Sequence, residues 1–449
     1  MERDLTTGNV FRTVVYFSMP YLLSYLLQTL YGLADMFIIG RFGNVSSTTA
    51  VSIGSQIMHM LTVMIVGLAV GATVMIGRSV GARKEEETAQ YIGNTVTLFL
   101  SVSVVLMVVL VALVRPIAGI MSTPAEAVEG TVQYLTICFI GIPFIVAYNV
   151  ISSVLRGMGD SKSPMYFIAI ACVINIVLDF IFIGGLQLDA AGAALGTTIS
   201  QAMSVVVALV VLRRGKLEVS LKKRNFKPKK KEMGEILKVG VPVALQDGFI
   251  QISFIAITIF VNRRGLTDAA AVGIVEKIIG ILFLMPSSMM STVSALAAQN
   301  IGAGKYDRAK QVMKYALLIT ETYGVIVVIL TQIFAVPMVG LFTKDAVVAL
   351  SGSGYLRSYS FDCIIAGIHF CMGGYFYASG LSIVSFVHNV VSILAARIPL
   401  SYFAAVHFKN TLFPMGCAAP IGSLISVFIC VGVYIWMQKK EKRPELRNA

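Results

Sequence analysis

Two carboxylates stand where the surrounding sequence is almost entirely apolar. Asp35 lies five residues before Gly40, near the end of one apolar run, and Asp179 lies five residues before Gly184, near the end of another. Placing a carboxylate in a membrane span costs roughly 2.5–3.5 kcal/mol on insertion scales, so each one calls for a reason. Helical spacing gives both acids polar neighbours. Gln28, Tyr31 and Asp35 fall at i, i+3 and i+7 on one face, and Asn175 and Asp179 fall at i and i+4 on another. Thr197 lies at a similar depth at the start of the next run. If these faces converge, they bring together two carboxylates, two amides, a phenol and a hydroxyl. Such a set attracts a single positive charge, a proton or a small hard cation. The other reading is a polar network that only holds the helices together, but two acids without a basic partner make poor glue.

The elements that position these residues follow from composition. Of the 449 residues, 57% are hydrophobic and the mean hydropathy is +0.82, a balance no soluble globular domain of this size shows. Twelve apolar runs, from 14–39 to 414–437, each have the length of one membrane-crossing helix. Strand alternation is absent, which argues against a barrel. The run from Tyr16 to Ile39 is too long for a signal peptide's apolar core and reads as the first span.

The net charge of +13 does not indicate a nucleic-acid partner, because of where the charge lies. Arg213 to Lys238 carries eleven Lys or Arg residues, and the tail after Gln438 carries five more. The outer loops hold six: Arg41, Arg115, Arg263, Arg264, Lys344 and Lys409. This asymmetry places both termini in the cytoplasm under the positive-inside rule, and a contact with anionic lipid would follow the same charge. The six cysteines (Cys138, Cys172, Cys363, Cys371, Cys417 and Cys430) all sit inside apolar runs without C-x-x-C spacing, and read as packing residues. No cofactor is called for, and the expected state is a monomer in the lipid bilayer.

The chain also repeats itself. Val80, Gly81, Ala82 and Lys84 pair with Ile301, Gly302, Ala303 and Lys305 at a shift of 221. At that shift Pro116 meets Pro337, Tyr134 meets Tyr355 and Gly159 meets Gly380. Six crossings per copy restore the direction of entry, so the copies should be parallel, related by an axis along the membrane normal, with a cavity between them. The expected domains are a six-helix lobe at 1–212, a basic cytoplasmic linker at 213–235 and a second six-helix lobe with its tail at 236–449.

The second copy does not repeat the acids: at the same shift Asp35 meets Ala256 and Asp179 meets Leu400. It offers Asp247, Glu276, Asp362 and Arg397 instead. Glu276 with Lys277, and Asp362 with Arg397, are expected as internal ion pairs, with substrate contact as the other reading. His369 and His388 are lone intramembrane imidazoles and carry no assignment.

Three motifs resemble the multidrug and toxic compound extrusion (MATE) family of cation-coupled antiporters. They are "GLADMFIIGRFG" from Gly32 to Gly43, "LRGMGDSKSP" from Leu155 to Pro164, and "NIVLDF" from Asn175 to Phe180 with Thr197 beyond. The resemblance covers nearly the whole chain. It implies an all-α membrane protein of twelve helices in two six-helix lobes arranged as a V. It also implies export of cationic or amphipathic drugs by antiport with H⁺ or Na⁺. Carried over residue by residue, Asp35, Asn175, Asp179 and Thr197 would form the cation site, holding H⁺ or Na⁺, with Gln28, Tyr31, Tyr134 and Asn149 around it. The second half departs from the pattern, its "Leu-Arg-Gly" motif reduced to "YASGLS" at Tyr377–Ser382.

Rival readings make different demands. A major-facilitator transporter would carry a Gly-x-x-x-Asp-Arg-x-Gly-Arg-Arg loop after the second span, where this chain reads "RSVGARKEEE". A lipid-linked oligosaccharide or lipid flippase of the wider superfamily would line its cavity with several Arg or Lys residues. An intramembrane enzyme would need a nucleophile–base or metal constellation, and no HExxH, GxSxG or acid–His cluster is present.

Overall fold

The computed structural model describes residues 4–121, 123–216 and 219–441. The expected tail beyond Glu441 and residues 217–218 of the basic segment lie outside the described residues. Among the described residues the chain is helical and has no strand. Ten helices are long and apolar enough to cross a membrane, and two further helix pairs pass the same test together. Counting each pair as one span gives α1 Val10–Phe42, α2 Val45–Gly81, α3 Glu85–Ala112, α4 Ala125–Ile140 with Ile142–Gly157, α5 Lys162–Gly185 and α6 Asp189–Arg214. The second set is α7 Lys230–Asn262, α8 Leu266–Gly302, α9 Tyr306–Gly340, α10 Ala346–Ser360 with Asp362–Ala378, α11 Ser382–His407 and α12 Phe413–Lys440. The helices outrun the apolar runs at most ends, because hydropathy marks only the part of a helix that hydrocarbon would cover.

The irregularities recur as faithfully as the helices. α4 bends by 45° at Gly141, and α10 bends by 40° at Phe361, 220 positions later. α3 stops at Leu113 (φ −99°, ψ 8°), and Phe334 (φ −108°, ψ 16°), 221 positions on, breaks the helical course of α9. Both breaks lie three residues before a proline, Pro116 or Pro337, whose ring excludes the carbonyl of the preceding turn and which has no N–H to donate. The left-handed positions Gly159 (φ 96°) and Gly380 (φ 77°) also pair at 221. One contact is made by both copies of the same positions. A side chain at Gly81 would strike the Gln299 carbonyl, and one at Gly302 would strike the Arg78 carbonyl, each residue 221 beyond its counterpart.

The chain falls into two compact units, one built mainly of Val15–Ala244 with Gln299–Gly304, the other mainly of Leu245–Ala298 and of residues from Lys305 onward. In the first unit part of the basic segment is docked rather than loose. Arg224 pairs with Glu86 at 3.0 Å, Asn94 donates to the Asn225 carbonyl at 3.3 Å, and the Lys229 amide donates to Asn94 at 2.8 Å. Gly93 provides the clearance, since a side chain there would meet the Asn225 carbonyl.

In the second unit the outer-loop residue Arg264 acts as a clasp. Its guanidinium pairs with Asp268 at 2.7 Å and donates to the carbonyl of Ala405 in the last turn of α11 and to those of Phe408, Lys409 and Thr411 just beyond its end. Its side chain is only 6% exposed. Terminal carbonyls of a helix have no partner within it, and a cation there satisfies several at once. Arg264→Ala should therefore destabilise the protein by about 3–5 kcal/mol, the range for breaking a buried pair. The check is the thermal midpoint of the purified protein; an unchanged midpoint would show the clasp to be idle.

Candidate cation site

The first unit brings the predicted quartet together. Asp35 on α1 is 6% exposed, and Asn175 and Asp179 on α5 are fully buried. Thr197 on α6 donates its hydroxyl to Asp35 Oδ2 at 3.4 Å, and Asn175 Nδ2 donates to Asp179 Oδ1 at 3.5 Å. The side chains of Asp179 and Asn175 also reach the Asp35 carboxyl, so the two acids face each other. Tyr31, one turn before Asp35, lies against Asp35, Thr197 and Ser200. Tyr134 is buried beside Tyr31 and Asp35, its ring seated where Gly54 leaves no side chain.

Local structure makes this convergence possible. Gly196, the residue before Thr197, allows α6 to close on α5, because a Cβ there would collide with Asp179 Oδ1. Immediately after Asp179 the helix widens into a π-turn, Phe180–Gly185, a feature common at functional sites.

The hydrogen-bond inventory shows what the cluster lacks. Asp35 Oδ1, Asn175 Oδ1, Asp179 Oδ2 and Tyr31 Oη are all buried without a hydrogen-bond partner. Buried polar atoms are nearly always paired, and each exception calls for an explanation. Three of these four atoms only accept. Among the described residues no Lys or Arg pairs with either carboxylate. An all-oxygen set of this kind suits a proton or a hard cation.

Two expected neighbours do not join. Asn149 donates back to the Ile145 carbonyl of its own helix at 2.8 Å, and among the described residues no side-chain hydrogen bond joins Gln28, partly buried on α1, to either acid. Gln201, one turn after Thr197, has a buried Oε1 with no donor. Its i, i+4 spacing from Thr197 was the signal that sequence reasoning missed.

In the second unit the four candidates do not form the expected pairs. Lys277 is exposed and makes no ion pair with Glu276, because successive helical residues point about 100° apart. Arg397 instead donates to the Tyr359 hydroxyl at 2.7 Å and lies 4.5 Å over the Phe254 ring, within electrostatic reach of Glu276 and Asp362. Asp247 stands apart, near Tyr377, which donates to Gln246 at 3.1 Å. Two polar features were not assigned from sequence. Glu321 on α9 has a buried Oε1 without a partner, lying where Gly367 has no side chain. His369 and His388 pack edge to face, with ring centroids 5.4 Å apart.

Comparison with known proteins accords with this architecture. The MatE family model matches twice, over residues 20–181 and 242–403, so each half is one copy of the same unit. The chain is 28% identical to the probable multidrug resistance protein YoeA of Bacillus subtilis, over 98% of this chain and 96% of the relative. It is 30% identical to the probable multidrug resistance protein YpnP of the same organism, over 89% of each chain. It is 27% identical to the multidrug export protein MepA of Staphylococcus aureus, over 83% of this chain and 82% of the relative. Among solved structures, an outward-facing multidrug resistance MATE family transporter of the MOP superfamily superposes with a TM-score of 0.92 at 22% identity, covering 98% of this chain and 99% of that one. A MOP superfamily transporter from Pyrococcus furiosus, described as having a binding pocket of reverse polarity, superposes with a TM-score of 0.91 at 22% identity, covering 98% of both chains. These structural likenesses carry the fold, and the two-copy match carries the family: the chain belongs to the MatE family of multidrug efflux transporters and is a multi-pass membrane protein.

Proposed function

We propose that the protein is an antiporter that exports cationic or amphipathic compounds in exchange for inward-moving H⁺ or Na⁺, by alternating access of its two six-span halves. The observation that carries this reading is the set of partnerless buried oxygens on Tyr31, Asp35, Asn175 and Asp179. Two adjoining carboxylates in a membrane span are costly as they stand and are stabilised by one positive charge. Binding and release of that charge supplies the free-energy link between an ion gradient and export. Asp35, Asn175, Asp179 and Thr197 hold the ion, and Tyr31 and Tyr134 border it. The names of the relatives, multidrug resistance and export proteins, support drugs as the substrate class. The basic segments support a cytoplasmic side for both termini, in the cell membrane. A flippase of lipid-linked sugars needs buried basic residues to meet a pyrophosphate, and the acid and amide groups at this site weigh against it.

The test is uptake into proteoliposomes of a panel of organic cations, with pH and sodium gradients imposed separately. One gradient should drive transport and the other should not. Equal transport without either gradient would overturn the antiport reading.

A further inference from the structure

The two family matches are both offset by 222 at their ends, whereas the motifs between them pair at 221. In α11 the difference has a structural seat. Ile393–Arg397 is a π-turn, which takes up one more residue than a regular turn. Up to its first residue, at 221, the buried Ala171 and Cys172 pair with the buried Ser392 and Ile393. After it, at 222, the buried Asp179 and Ile183 pair with the buried Ser401 and Ala405. The turn ends on Arg397, so that Asn175, an amide of the cation site, meets Ala396 at 221 and Arg397 at 222.

The surroundings of Arg397 resemble those of that site. Tyr355, counterpart of Tyr134 at 221, lies near Arg397, Glu276 and Asp362, as Tyr134 lies near Tyr31 and Asp35. Asp362 is 3% exposed, is supported by the Ser423 hydroxyl, and keeps Oδ1 without a partner. Glu276 Oε1 is likewise buried without a partner. The guanidinium lies within electrostatic reach of both acids without closing an ion pair on either, held by the Tyr359 hydroxyl and the Phe254 ring.

We propose that the second half contains a copy of the cation site whose charge is supplied by the tethered guanidinium of Arg397, so that it binds no diffusible ion and the protein binds one coupling ion per chain. An arginine keeps its charge at any physiological pH, and a tethered cation competes at very high effective concentration. The single positive charge that the pair Glu276 and Asp362 calls for is then present throughout the cycle, and only the first half senses the gradient. This inference rests on the proposed first-half site, and its test scores the two separately.

The test counts ions on full-length protein in nanodiscs, by equilibrium binding of radioactive sodium and, in parallel, by proton release after a pH jump read with an indicator dye. Wild type should bind one ion, absent in Asp35→Asn. Arg397→Asn should bind two, the double variant one, and Arg397→Lys one. Two ions on wild type, or no gain in Arg397→Asn, would overturn the proposal. Should Arg397→Asn fail to fold, Glu276→Gln in the wild-type background decides: the count should stay at one, and a fall would show that Glu276 already holds a diffusible ion. An ion retained in Asp35→Asn would overturn the first-half site, while the gain in Arg397→Asn, scored against wild type, stands or falls by itself.

Discussion

Asp35→Asn and Asp179→Asn should each reduce gradient-driven export to the level of protein-free vesicles, while the protein still inserts and purifies as wild type does. Each change keeps the shape of the side chain and removes the charge. Both carboxyls are buried, face each other and retain an oxygen without a donor, so neither change breaks a hydrogen-bonded scaffold. Losing one partner of a buried charge interaction costs about 2–5 kcal/mol, which is roughly thirty- to several-thousand-fold in ion affinity. The thermal midpoint should hold or rise, since an amide is cheaper to bury than a carboxylate. Export at wild-type rate in both variants would remove this cluster from the coupling mechanism. Loss of export together with loss of folded protein would make it structural.

The second large effect needs no change to any ion-binding side chain. In Gly196→Ala the new methyl would overlap Asp179 Oδ1, so the carboxylate must turn away or α6 must back off. Overpacking a well-packed site costs about 1–3 kcal/mol, and here the strain falls directly on the ligand. Ion affinity should drop roughly five- to 150-fold, with the same sense in transport. Gly32→Ala is the matched control, because Gly32 shares a helix with Asp35 and has no atom within 4 Å of an added Cβ. It should bind as wild type does. Equal behaviour of the two variants would mean that the closeness of α6 to Asp179 is irrelevant to binding.

The core of the candidate site was legible because helical periodicity is rigid. Asn175 and Asp179 had to share a face once the run was helical, and counting from Gly40 and Gly184 put the two acids at one depth. What was not legible depends on where helices leave that periodicity. Asn149 has the right residue type, but its amide returns to the Ile145 carbonyl, a choice that local geometry makes and composition does not reveal. Arg397 was expected on Asp362, yet the π-turn ending at Arg397 alters its direction and Tyr359 receives it. The bend at Gly141 left no mark in hydropathy, because the helix is equally apolar on both sides of it, whereas at Phe361 the Ser-rich stretch before the bend is clearly less apolar than the one after it. Glu321 was legible and overlooked: it is a carboxylate between Thr320 and Thr322 inside an apolar run, the same kind of signal that singled out Asp35.

The wide turn at Ile393–Arg397 bears on how such a molecule can diverge after its gene doubles. In a regular helix one inserted residue rotates everything beyond it by about 100°, which would turn a packed face toward lipid. Here the surplus is confined to five residues, and Ser401 and Ala405 remain buried where Asp179 and Ile183 are buried in the other copy. A single insertion could thus exchange an amide for a guanidinium while the rest of the helix kept its neighbours. Duplicated membrane proteins need not wait for compensating substitutions along a whole span; a local widening of one turn lets one copy take up new chemistry while the other keeps the old.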